Sequence, residues 1–162
     1  MIVGVPREIF PNERRVSITP QNAALLRKKG FSKVLVEHNA GLGAQFLDEH
    51  YAAAGATLVA RDELFKQSDI LLKVRPPLTG QEMESIREGS SVISFLYPAQ
   101  NKAIVDALAQ RNANVFAVCY SYHCMISSSY RLIYLDGYDT PHLTCTSFRC
   151  FEAGIQAFLD GK

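Results

Sequence analysis

Arg15, Lys73 and Tyr97 are the side chains whose types and positions point to a ligand site. Arg15 carries a planar fork of donors suited to a carboxylate or phosphate, and Lys73 adds a compact positive charge. Each lies just past a run of β-branched and aliphatic residues, Ile2–Val5 for Arg15 and Ile70–Leu72 for Lys73. A pair of cations at neighbouring strand ends can hold a small anion. The plainer alternative is that both are solvated or structural charges. Tyr97 precedes Pro98 at a strand-to-helix turn, where the residue before proline is expected to be extended. It borders a cleft or, equally, lids a core.

Two other patterns invite a chemical reading. Gly41-Leu42-Gly43-Ala44-Gln45-Phe46 imitates the start of a dinucleotide fingerprint, with Asp62 about 20 residues on. Phe46 stands where the third glycine belongs and would obstruct close helix–strand packing, so this loop is expected to be structural. Cys119, Cys124, Cys145 and Cys150, with His123 and His142, can be drawn as a zinc site. Their Cys-x4-Cys spacing is at the loose end of such patterns, and free thiols in a reducing compartment are the simpler account.

The elements that must position these residues follow from hydrophobic patterning. Candidate strands are Ile2–Val5, Lys33–Glu37, Thr57–Val59, Asp69–Val74, Ser91–Leu96 and Asn114–Val118, alternating with amphipathic stretches as in a parallel α/β sheet flanked by helices. Thr19 predicts an N-cap, Pro20 a first helical residue and Gly30 a left-handed stop, giving a helix over Pro20 to Lys29. Ile104, Ala107 and Leu108 recur at helical spacing within Asn101 to Arg111. Right-handed crossovers put the carboxyl ends of parallel strands along one edge, where such sheets bind ligands. Arg15, Lys73 and Tyr97 can therefore converge there.

The 162 residues suffice for one core, and 48% apolar with 20% charged content is ordinary for a globular chain. A net charge of +1 provides no basic stripe for nucleic acid. No apolar run approaches the ~20 residues that cross a bilayer, and the start lacks the layout of a secretory signal or an Arg-rich, Ser-rich leader. Character changes after Val118. All four cysteines lie beyond it, and no lysine occurs between Lys102 and Lys162. The chain therefore divides into residues 1–118, an α/β domain, and 119–162, an atypical Cys- and Tyr-rich tail.

Gly4-Val5-Pro6-Arg7-Glu8, then Asn12-Glu13-Arg14-Arg15-Val16-Ser17 and Thr19-Pro20, resemble the N-terminal signature of the alanine dehydrogenase and NAD(P) transhydrogenase alpha-subunit family. Leu72-Lys73-Val74-Arg75 with Pro77 resembles its second motif, and Ile93 through Asn101 the transhydrogenase form of the next strand and turn. The run Gly41 to Ala56 also has a family counterpart, used structurally. The resemblance covers residues 1–118. It implies a flavodoxin-like α/β half-domain, incomplete here, of the NAD(H)-binding subunit of a proton-translocating transhydrogenase. The family reaction passes hydride from NADH to NADP+, with NADP(H) on a partner domain, a membrane domain between them and a homodimeric complete protein. That implies a place on the soluble face of an energy-coupling membrane, bacterial cytoplasmic or mitochondrial matrix side.

In alanine dehydrogenases the residues matching Arg15 and Lys73 grip the substrate carboxylate, and a catalytic histidine stands where this chain has Tyr97. A phenol cannot shuttle protons near neutral pH as imidazole does, so the transhydrogenase branch leads. The other readings are an alanine dehydrogenase fragment and a non-catalytic fragment or partner of intact subunits. The family's glycine-rich nucleotide loop, acidic ribose-binding residue and nicotinamide loop belong beyond residue 118 and do not occur. The chain alone is thus expected to be inactive and to bind no cofactor tightly. A frame shift or retained intron near codon 118 is expected to explain the tail.

Overall fold

The computed structural model describes residues 1–78, 80–98, 100–119 and 132–136. Strands β1 (Ile2–Val5), β2 (Lys33–Glu37), β3 (Thr57–Val59), β4 (Ile70–Leu72), β5 (Ser91–Ser94), β6 (Asn114–Cys119) and β7 (Leu132–Asp136) form one parallel sheet. Their order is β3-β2-β1-β4-β5-β6-β7. Without the three-residue edge strand β3, the succession from β2 to β6 is the flavodoxin-like order, with sequence direction reversing between β1 and β4.

Period-two alternation sends successive strand residues to opposite faces, and both faces are covered. Helices α1 (Pro20–Lys28) and α2 (Asp48–Ala53) contribute Ala23, Leu26 and Tyr51 to one core with Val3, Val5, Val34, Val36, Ile70, Leu72 and Ile93. On the other face Leu64 and Phe65 of α3 (Arg61–Gln67), Met83 of α4 (Gln81–Ser85) and Val105 and Leu108 of α5 (Lys102–Gln110) cover Leu35, Leu71, Val92 and Val115. Each buried Val, Leu, Ile, Phe or Met among these contributes ~1.5–3 kcal/mol by leaving water.

The local signals act as expected around α1. The Thr19 side chain accepts from the Asn22 N–H, Pro20 opens the helix, and Gly30 has φ +97°. Lys29 and Arg111 are C-caps, so both expected helices end one residue early. Strands β4 and β5 are shorter than the patterning suggests, yet the backbone ladder continues past them. The Lys73 N–H donates to Ile93 O at 3.0 Å, and the Phe95 N–H to Val74 O at 3.2 Å. This continued pairing fixes the direction in which Lys73 leaves the sheet.

Gly4 lies in β1 because a side chain there would collide with Ser68, whose Oγ is 2.0 Å from the position of a Cβ. The absence of that atom seats α3 close against β1. Arg61, at the start of α3, is thereby carried over the sheet's carboxyl edge.

Candidate functional site

The carboxyl ends of β1, β2, β4 and β5 deliver the segments after Val5, Glu37 itself, Lys73 to Arg75, and Phe95 to Tyr97 to one edge. Sequence direction reverses between β1 and β4, the place where open α/β sheets bind ligands. Two ionic groupings lie at this edge.

The inner grouping centres on Lys73, which is only 1% exposed. Its Nζ donates to Glu82 Oε1 at 2.8 Å and lies 3.5 Å from Glu8 Oε2. Glu82 Oε2 accepts the Leu78 N–H at 2.7 Å. Arg61 binds the same Glu82 carboxylate through Nη2, while its Nη1 donates to Glu37 Oε2 at 2.9 Å. Glu37 Oε2 also accepts the Arg7 N–H at 2.8 Å, tying the chain after β1 to the end of β2. Glu8 Oε1 accepts the Val74 N–H at 2.7 Å, but its buried Oε2 has no hydrogen-bond partner. Burial pushes the Glu8 carboxyl above the ordinary glutamate range, against the opposing pull of Lys73 and the Val74 and Arg75 backbone.

The outer grouping centres on Glu13. Arg15 donates to it with Nε at 2.8 Å and Nη2 at 2.7 Å, and Arg75 with Nε at 2.8 Å. These bonds, the Arg15 hydrogen bond first, hold the Glu13 carboxyl down at about 2. Arg75 also stands over the Phe10 ring at 5.0 Å, a cation–π contact. The same pairing raises the Arg15 guanidinium above its ordinary range, with Tyr97 and Glu8 contributing smaller electrostatic effects.

Arg15, Lys73 and Tyr97 thus share an edge without forming an empty anion pocket. The Arg15 fork is filled by Glu13 and its side chain is 54% exposed, whereas the Lys73 ammonium is internal. Tyr97 is half-buried against the first core and has φ +48°, not the extended backbone expected before proline. The cause is the tight turn. Tyr97 O accepts the N–H groups of Gln100 and Asn101 at 3.0 and 3.1 Å, and the Asn101 side chain donates to Leu96 O at 2.8 Å.

Patterning pointed to the cations and overlooked Glu13, Glu37, Arg61 and Glu82. Glu8 and Glu13 lie inside the first motif, and that is the signal that identifies them. Glu82 carries none, because its link to Lys73 depends on how α4 packs beside the end of β4.

The glycine loop has a structural task. A Cβ at Gly43 would lie 2.9 Å from Arg14 O, and one at Gly41 would lie 2.7 Å from the Tyr51 ring. Tyr51 donates to Ile18 O at 2.8 Å, so the 41–51 segment braces the loop bearing Arg15. The cysteine and histidine side chains of the zinc drawing lie outside the described residues.

An α/β domain doubly wound around a parallel sheet, with charged groups outside the carboxyl ends at its switch point, belongs to the ligand-binding class of open-sheet folds. The profile of the alanine dehydrogenase/PNT N-terminal domain matches residues 4–125. The chain belongs to that family. It is 40% identical over 118 residues to NAD(P) transhydrogenase subunit alpha of Haemophilus influenzae, covering 73% of this chain and 22% of that one. Identity to alanine dehydrogenase of Methanococcus maripaludis is 38% over 112 residues, covering 68% and 30%. Among solved structures, a transhydrogenase from Sinorhizobium meliloti matches with TM-score 0.68 at 36% identity, over 72% of this chain and 33% of that one. The chain thus spans about a fifth of the transhydrogenase subunits it matches, 22% in each case.

Proposed function

We propose that this chain is the N-terminal portion of the NAD(H)-binding domain of a proton-translocating NAD(P) transhydrogenase, and that Arg15, Lys73 and Tyr97 form part of the wall of its redox cleft. The observation that carries this reading over an alanine dehydrogenase is Tyr97 at the end of β5, where amino-acid deamination requires a basic nitrogen. The family reaction is hydride transfer from NADH to NADP+ coupled to proton movement, with membrane and NADP(H)-binding partners and a homodimeric complete protein. The domain then lies on the soluble face of the coupling membrane.

The loop from Gly41 to Gly43 does not fit the pyrophosphate of a dinucleotide. Gly41 and Gly43 are consumed in packing against Tyr51, Phe46 and the Arg14 backbone, leaving no open glycine cradle. What the inner grouping does supply is a fixed, water-poor arrangement of charge. Hydride transfer needs its partners held at near-contact distance, and a cleft wall with locked side chains serves that end.

Calorimetric titration of the 162-residue chain with NADH is the direct test. The expected result is no binding in the micromolar range; micromolar binding would make the tail beyond Val118 a substitute for the nucleotide loop. We assign that tail to a frame shift or retained intron near codon 118. Nucleotide sequence in which no alternative frame or splice restores Pro-Arg and Asp-Ala-Leu-Ser-Ser overturns this assignment. The alanine dehydrogenase relatives support a second reading, which alanine-dependent NAD+ reduction by a full-length version would establish.

A further inference from the structure

We propose that Glu82 is the positioning residue of the Lys73 ammonium and that Arg61 acts behind it, so that Glu37, Arg61, Glu82 and Lys73 form one charge-alternating strut across the sheet's carboxyl edge. The proposal rests on the reading of Lys73 as a wall of the cleft, and it names the groups that aim it.

The geometry is specific. A lysine ammonium has three donors on a flexible stem, so its direction is set by its partners. Among the described residues Glu82 Oε1, at 2.8 Å, is its hydrogen-bonded carboxylate, whereas Glu8 Oε2 at 3.5 Å is beyond that range. Glu82 is itself immobilised. One oxygen accepts the Leu78 N–H, and the other is shared by Lys73 and Arg61. Its side chain is only 2% exposed, so water does not compete for these bonds.

Arg61 is anchored in turn. It donates to both Glu37 oxygens, at 3.2 and 2.9 Å, and to Arg7 O at 3.2 Å, with its guanidinium 5.5 Å from the Phe65 ring centre. The strut therefore joins the ends of β1, β2 and β4 through α3 and α4. A displacement of either helix moves Glu82 and, with it, the ammonium.

The test is competitive acylation of the full 162-residue chain with an amine-reactive acetyl ester, read residue by residue by mass spectrometry. Exposed Lys33 is the internal reference. Lys73 in the wild type is expected to react far more slowly than Lys33. Glu82→Gln removes a charge-assisted bond, and the Lys73 rate should rise about tenfold or more with Lys33 unchanged. Arg61→Met should produce a smaller rise, and Glu82→Asp should restore part of the protection. Amide exchange of Leu71 and Val92 separates local release from global opening and is expected to stay as in the wild type.

An unchanged Lys73 rate in folded Glu82→Gln overturns the proposal, as does a rise matched by faster exchange at Leu71 and Val92. No effect of Arg61→Met removes Arg61 from it. If Glu82→Gln does not fold, wild-type nitrogen-15 spectra decide: a resolved, slowly exchanging Lys73 ammonium signal supports the tether, and its absence overturns it. Acylation reads the tether alone, so failure of NADH titration and failure of the strut are separate outcomes.

Discussion

Lys73→Met is the most demanding perturbation of the inner grouping, because it removes the charge while keeping an unbranched stem of similar length. Removing one partner of a buried ion pair ordinarily costs ~3–5 kcal/mol. The cost here should be smaller, since neither carboxylate is left bare. Glu82 keeps Arg61 and the Leu78 N–H, and Glu8 keeps the Val74 N–H. Glu8 is already pushed upward by burial, and Lys73 is the foremost influence pulling it back, so the variant raises it further. Whatever proton Glu8 takes up in consequence offsets part of the lost charge. The remaining loss is roughly that of a charged hydrogen bond, about 1.5–3 kcal/mol near pH 7.5. The sign of the pH dependence follows from Glu8. A carboxyl raised in the folded state binds protons that the unfolded chain has already released, so stability falls as pH rises through that interval. The penalty of Lys73→Met should therefore grow as pH rises above the ordinary carboxylate range. Urea unfolding followed by far-UV circular dichroism suits a chain without tryptophan, and an unchanged slope would confirm comparison of like states. A variant within about 0.5 kcal/mol of wild type at pH 7.5, or a penalty that shrinks as pH rises, refutes the reasoning. In a full-length protein the same substitution should lower hydride-transfer rate or NADH affinity; wild-type values there would leave Lys73 a structural role.

The outer grouping predicts the opposite pH behaviour. Glu13 is depressed to about 2, so its stabilisation is present above the ordinary carboxylate range and lost as pH falls toward that value. With Arg15 half-exposed and screened, Glu13→Gln should cost ~1 kcal/mol near pH 7 and nothing near pH 2, measurable by urea unfolding at both. Gly43→Ala should cost ~1–3 kcal/mol and displace the Arg14–Arg15 loop, because the added methyl meets backbone at 2.9 and 3.1 Å with no flexible side chain to yield. Thermal unfolding within a degree of wild type would show that this loop gives way freely.

The parts of the fold legible in the sequence are those in which local chemistry and tertiary packing agree. Thr19, Pro20 and Gly30 delimit α1 almost to the residue, and β1, β2 and β3 lie where β-branched runs place them. Helices α2, α3 and α4 have only six, seven and five residues, too few for a helical period to separate from chance. The first motif located Arg15 and the second Lys73, but the partners that define their states come from elsewhere. Glu82 reaches Lys73 from α4, and Arg61 reaches Glu82 from another helix. Tyr97 shows a related failure: the local preference before proline is overridden by three hydrogen bonds that close the turn behind it.

The same comparison explains why the site is stiff rather than vacant. In an open parallel sheet the strand ends present their last side chains into one crevice, and charges gathered there must be paired or exposed. The outer cations remain near water, and Glu13, whose own side chain is only 4% exposed, pairs with both of them. The inner cation is buried, so it requires Glu82, and Glu82 requires Arg61. Each added ion is demanded by the burial of the one before it, and the succession ends at Glu37, where Arg7 supplies a backbone donor. The Glu8 oxygen that faces Lys73 at 3.5 Å without a hydrogen bond is where this succession is loosest. It is consequently the point at which a change of protonation alters the charge on the inner grouping without breaking any of its hydrogen bonds.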